Sequence, residues 1–256
     1  MERIRMVQMD LQRAFCGRLF LVGLLCLVGV CYLNVSWNNY QYESVVSLIA
    51  GLAFGGFVQM IFVCGAIPYA VSYLSDCESG YIRFLVIRGD LRRYLRSKVF
   101  VTALSGFSAV FAGKLLFALS LCAAFPLTQE TDIMLNGGVE LLFDVHPWAY
   151  IAGDAFLYAM ASAAFAVMAL LVSSLIRNMF VTLMSPLVLY FMITSLQQIV
   201  RVPQAIGMNG LMMGYIDGYL DSWQWTLLHI FLVWLIVILV TGKLFVWRAE
   251  RRFYHG

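Results

Sequence analysis

Trp148–Ile176 reads WAYIAGDAFLYAMASAAFAVMALLVSSLI, an apolar run whose sole charge is Asp154. An α-helix rises about 1.5 Å per residue, so roughly 20 such residues cross a hydrocarbon core about 30 Å thick. This run is long enough to span it. Ala155, Ala159, Ala161, Ala163, Ala164 and Ala166 give it a small-residue surface suited to tight contact between membrane helices. Pro147, just ahead, suits a first helical turn, where a missing N–H costs nothing.

The rest of the chain has the same character. Its 256 residues are 62% hydrophobic and only 12% charged, and its mean hydropathy is +0.84. Soluble domains carry roughly 45–50% apolar and about 25% charged residues. With half that charge, too little polar surface remains to cover a globule in water. The expected architecture is all-α: one transmembrane domain, 1–256, of six helices over about 19–35, 45–73, 99–125, 148–176, 179–199 and 223–247. Such a set with its loops consumes the length and leaves no room for a soluble domain.

The second run contains Gly51, Gly55 and Gly56, with Gly51-xxx-Gly55 at close-packing spacing, and Pro68 is expected to kink it. It exceeds a bilayer's thickness, so it must tilt, bend or protrude. Residues 1–17, MERIRMVQMDLQRAFCG, place Ile4, Val7, Leu11, Ala14 and Phe15 at helical spacing, with Arg3, Arg5, Gln8, Gln12 and Arg13 on other faces. That pattern predicts an amphipathic helix in the headgroup region. Its mixed charge, and the lack of a small-x-small site after the apolar run, argue against a cleaved signal peptide.

All Lys and Arg residues except Lys114 and Arg201 fall in the leader, the 75–98 loop, the Arg177–Asn178 turn and the last span with its tail. By the positive-inside rule these segments are cytoplasmic, and an even number of spans puts both termini there, in a multi-pass protein of the cell membrane. Trp37, Trp148, Trp223 and Trp225 lie near the opposite boundary, where aromatic anchors belong. Cys31 and Cys122 lie near the outer ends of their spans, but the six cysteines show no CxxC or metal spacing and read as small apolar residues.

Catalytic signatures are absent. The chain has no HExxH, GxSxG or Walker A motif, and Ala112-Gly113-Lys114-Leu115 lacks the Ser/Thr and upstream glycine of a P-loop. His146, His229 and His255 are scattered. No enzyme activity, cofactor, metal or nucleic-acid partner is expected.

The loop 75–98, SDCESGYIRFLVIRGDLRRYLRSK, is the most charged stretch. Glu78-Ser79-Gly80 can stop a helix, because glycine readily adopts the left-handed conformation. Tyr81–Arg88 forms a short amphipathic segment, Gly89-Asp90 breaks it, and Asp90 can cap the helix continuing as LRRYLRSK. This arrangement, with the flat leader, six spans, the short turn between spans four and five and a semi-polar outer segment at 200–222, resembles the ABC-2-type transporter permeases over the full chain. The departure is at Arg88 and Gly89, where that family often has proline.

The resemblance implies the membrane subunit of an exporter for a peptide, drug-like or lipid-like substrate. A soluble ABC ATPase would supply ATP and Mg, and a second permease chain, identical or related, would complete the pathway. The loop would then be a coupling helix touching the ATPase through Glu78, Gly80, Tyr81, Arg83, Phe84, Arg88 and Asp90. Ser173–Asn178, with Ser174 and Arg177, would form a smaller second contact. Two other classes stay open: a non-transport membrane scaffold or immunity protein, and an ion-coupled secondary transporter, which the lack of inverted halves disfavours.

Lys114 is an intramembrane cation, costing about 2.5–3.5 kcal/mol on insertion scales. Asp154, about two turns into its own span, lies at a depth it can reach. A polar pair facing a pathway or helix contact stands beside a snorkelling lysine and an aspartate wetted at the rim.

Overall fold

The computed structural model describes residues 2–37, 44–82, 91–129, 142, 146–203, 205–214 and 223–254. Among these the chain is all helical. The elements are α1 (Glu2–Phe15), α2 (Arg18–Trp37), α3 (Val45–Gly51) with a 3₁₀ turn at Leu52–Phe54, α4 (Met60–Ala66) and α5 (Ser72–Glu78). They continue as α6 (Leu91–Leu121), α7 (Pro147–Leu175), α8 (Met179–Val200), α9 (Met208–Met213) and α10 (Trp223–Tyr254). Five of them, α2, α6, α7, α8 and α10, are long and apolar enough to cross a membrane. Large apolar side chains such as Leu21, Leu25, Phe180, Ile199, Val200 and Ile236 are exposed along their flanks. A contiguous apolar exterior of this kind requires lipid as its solvent.

The alanine-rich α7 is the centre of the bundle, with α6, α10, α8 and α4 packed around it. Its alanines at 155, 159, 161, 164, 166 and 169 are completely buried. Lipid tails are as apolar as leucine, so membrane helices associate through close packing and polar contacts rather than hydrophobic transfer. Small residues permit the approach. A Cβ at Gly65 of α4 would sit 1.8 Å from Ser162 Oγ of α7, and one at Gly106 of α6 would sit 3.1 Å from the Gly65 carbonyl oxygen. Three helices therefore meet at Gly65, Gly106 and Ser162.

The helix termini are capped from the sequence around them. Pro147 opens α7, and His146 Nδ1 accepts from the Trp148 N–H at 3.2 Å. Asn178 Oδ1 accepts from the N–H groups of Phe180 and Val181 at 2.9 and 3.2 Å, which starts α8 directly after the short turn.

The expected second span, 45–73, is not one helix. It is three short helices and a 3₁₀ turn, interrupted at 55–59 and 67–71. The physical reason begins with Gly51-xxx-Gly55, which marks a break rather than a packing face. Asn34, fully buried on α2, inserts there: its Oδ1 accepts from the Phe57 N–H at 3.2 Å, and a Cβ at Gly55 would lie 1.9 Å from that oxygen. A side chain replaces the helical partner that the break removed, as backbone at membrane depth requires. Pro68 makes the second interruption, and Gly23 of α2 lets that helix approach its ring.

In α8, Pro186 deprives the Thr182 carbonyl of its helical donor, and Ser185 Oγ supplies one at 2.7 Å, so the helix continues. The first N–H groups of α3 are satisfied by the carbonyls of Pro126 and Leu127, at 3.0 and 3.3 Å. The segment after α8 folds back as α9, whose Met208, Leu211 and Met212 are buried in the core. All six cysteines are free thiols.

Gly65→Val should lower the thermal unfolding midpoint in detergent, at a cost of about 1–3 kcal/mol from overpacking. Gly29→Ala, where an added Cβ meets nothing within 4 Å, should be neutral or stabilising by up to about 1 kcal/mol.

Candidate functional site

Lys98 is buried with 0% exposure near the start of α6, about 10 Å along the helix from Leu91. Taking an ammonium group out of water costs several kcal/mol unless it is paired and hydrogen-bonded. Its Nζ lies 3.2 Å from Asp10 Oδ1, 2.8 Å from Asp76 Oδ2 and 2.8 Å from Tyr69 OH. The rings of Tyr69 and Tyr94 flank it, with centroids at 4.6 and 5.2 Å.

The carboxylates are satisfied in turn. Tyr69 OH donates to Asp10 Oδ1 at 2.6 Å and Ser97 Oγ to Asp10 Oδ2 at 3.0 Å. Tyr94 OH donates to Asp76 Oδ2, and Arg13 approaches Asp76 Oδ1 at 3.7 Å. Two cations face two anions, and every carboxylate oxygen has a partner. The cluster joins α1 through Asp10 and Arg13, the turn before α5 through Tyr69, α5 through Asp76, and α6 through Tyr94, Ser97 and Lys98. Of its members, Arg13, Tyr69, Asp76 and Lys98 line a cavity of about 570 Å³ whose other walls include Leu19, Pro68, Ser72 and Met179.

Around it, further contacts lock the same end of the bundle. Arg92 Nε reaches Glu250 Oε1 at 2.6 Å, tying the start of α6 to α10. Arg252 Nη1 donates to the Ser174 carbonyl at 2.8 Å, placing a cation at the C-terminus of α7, where the helix dipole favours one. Burial pushes the Cys77 thiol above its ordinary range, which keeps it protonated and unreactive.

Of the residues expected to couple to an ATPase, Glu78, Gly80 and Tyr81 are described, and they follow Asp76 at the end of α5. Glu78 is exposed and ends α5; Gly80 follows at φ +72°, the left-handed stop its position calls for. Tyr81 is exposed, and its ring meets that of Tyr94 edge-on at 6.3 Å. Arg83, Phe84, Arg88 and Asp90 lie outside the described residues. Arg177 is exposed in the short turn, whereas Ser174 is buried: its hydroxyl bonds the Leu171 carbonyl at 2.6 Å and Arg252 covers its own carbonyl. Of this pair, only Arg177 is exposed.

Lys114 and Asp154 are brought together. The ammonium group donates to Asp154 Oδ2 across the α6–α7 contact, and Nζ lies 3.6 Å from the centroid of the Tyr158 ring. Lys114 is 3% exposed, so it reaches across to its neighbour rather than out to the membrane surface.

Sequence reasoning passed over Asp10, Asp76 and Lys98. Lys98 was one more positive charge of a basic loop. Yet Asp10 stands among Val7, Leu11 and Ala14, so an acid sits on the apolar stripe of α1. A charge on the buried face of an amphipathic helix signals a buried partner. Asn34, within an apolar span, is the same kind of signal. Among the described residues no group of three or more His, Cys, Asp or Glu side chains is placed to hold a metal ion.

Five apolar spans, an exterior of lipid-facing side chains and two buried ion clusters define a helical multi-pass membrane protein. Comparison with protein-family models, curated proteins and solved structures finds no match to this chain.

Lys98→Met, leaving two carboxylates buried beside a single distant arginine, should destabilise by about 3–5 kcal/mol in thermal or denaturant unfolding in detergent. Lys114→Met should do the same at the other end. There the double variant Lys114→Met/Asp154→Leu should recover most of the loss, because no uncompensated charge remains. A double variant no more stable than either single one would show that the pair is not a unit.

Proposed function

We propose that the chain is the membrane-spanning permease subunit of an ATP-binding-cassette transporter, exporting a peptide, drug-like or lipid-like substrate. A separate soluble ATPase, holding ATP and Mg, drives it. A second permease chain, identical or related, completes the pathway across the cell membrane, and both termini lie on the ATPase side.

The observation carrying this reading is the Lys98 cluster. It ties Asp76, just before the loop at 79–90, to Tyr94 and Lys98 just after it, and ties both to α1 through Asp10. A push on that loop cannot be absorbed by one helix alone, because its two feet and the N-terminal helix move as one body. Exposed Glu78, Tyr81 and Arg177 surround the same end and suit a polar docking partner. The interruptions of 45–73, with Asn34 as a surrogate backbone partner, fit a protein whose helices must rearrange, since broken helices at membrane depth are a recurrent device of transporters.

A second reading, ion-coupled transport by the chain alone, rests on the Lys114–Asp154 pair, because ionisable groups inside a bundle are common in proton and ion relays. The two readings separate experimentally. Co-expression with a soluble subunit bearing GxxxxGK[ST] should yield a stable complex whose ATP hydrolysis is lost when the P-loop lysine is replaced. Glu78→Arg should weaken that complex about tenfold while leaving the melting midpoint of the permease unchanged. Failure to bind any such ATPase, together with uptake by the chain alone in vesicles under an ion gradient, would replace the first reading with the second.

A further inference from the structure

A groove of about 700 Å³ runs down the outside of the bundle between α6, α7 and α10. Ala103 and Ala163 keep its floor low, Gly242 sets α10 against Val99 of α6, and Phe100, Leu104 and Leu239 form apolar walls. One end carries charge: Arg96, Lys243 and Glu250, with Trp247 beside them. Glu250 is already paired with Arg92, and Trp247 is covered by the Arg251 guanidinium at 4.1 Å. Arg96 and Lys243 are exposed and have no ion-pair partner among the described residues.

We infer that this groove is a binding site for a single anionic phospholipid, its phosphate held by Arg96 and Lys243 and an acyl chain lying between α6 and α10. Charge at the mouth favours this occupant over a helix of a second copy. Along α10 the lining runs from Phe231 to Glu250, about 28 Å, long enough to take a whole acyl chain beside its headgroup. Phe107 lines the α6 side, stacked on Phe111 at 5.7 Å and edge-on to Phe156 at 5.9 Å. Chemistry favours an anionic headgroup: two unpaired cations sit beside a tryptophan of the kind that anchors at the headgroup level. Basic pockets between helices at that level recognise lipid phosphates. The site does not depend on how transport is energised.

The test is native mass spectrometry of the purified chain in detergent with phosphatidylglycerol and phosphatidylcholine of identical acyl chains. The wild-type chain should retain one phosphatidylglycerol in preference to phosphatidylcholine. Arg96→Gln/Lys243→Gln should weaken phosphatidylglycerol retention about 30-fold and leave phosphatidylcholine unchanged. Both side chains are exposed, so the melting midpoint should hold. Ala103→Leu, which fills the floor, should reduce retention of both lipids at this site, and Arg96→Lys, which keeps the charge, should keep the preference. Equal retention of the two lipids, or a preference that survives the double charge removal, overturns the site. So does a dimer that Ala103→Leu dissociates, because the groove would then belong to a second copy.

Discussion

The buried ammonium of Lys98 is the constraint that organises this end of the molecule. An isolated charge there would be untenable, so the fold brings Asp10 from α1, Tyr69 from the turn before α5 and Asp76 from α5 to it, while Tyr94 and Ser97 of α6 itself bond those carboxylates. Asp10 in particular is far from Lys98 along the chain. α1 could otherwise float in the headgroups, and α5 is a helix of only seven residues, anchored besides by buried Tyr73 and Leu74. Once Lys98 is buried, Asp10 and Asp76 must follow it. A network of this sort gives modest net stability, because desolvation offsets much of the attraction, but it strongly penalises any arrangement that leaves one member unpaired. It specifies position more than it adds strength.

The same logic recurs at the opposite end of α6. Lys114 lies about 24 Å along the helix from Lys98 and is held by Asp154 and the face of Tyr158 on α7. One long helix therefore carries a buried cation in each half, one tied to the N-terminal elements and the other to the central helix. Between them the contact is made by small residues, with Gly106 against Ala166 and the Gly65 carbonyl. Polar pins at the ends and close backbone approach in the middle fix the register of α6 without any help from hydrophobic transfer.

The interrupted segment shows how irregular backbone survives at membrane depth. Its freed groups are met by Asn34, by carbonyls from the segment after α6, and, in α8, by the hydroxyl of Ser185. These substitutions need no water. The lipid-facing exterior is not uniform either: an apolar groove between α6, α7 and α10 carries Arg96 and Lys243 toward one end.

The sequence by itself determined the solvent, the helical class and most of the helices. Long apolar runs leave no other solution in lipid, and local chemistry at Pro147, Asn178 and Gly80 sets helix boundaries that need no distant partner. It also marked 45–73 as unusual through its glycines and placed the interruption at Pro68, but not the break at 55–59. That depended on Asn34 arriving from α2 to take the place of a backbone partner. Only the tertiary structure decided that Lys98 is a buried hub rather than a surface charge, that Lys114 turns toward Asp154, and that Ser174 is covered by Arg252. The physical reason is common to all of these. Hydropathy and helix propensity act over one turn and can be read along the chain, whereas the partner of a buried charge comes from whichever helix the packing brings within about 3 Å of it.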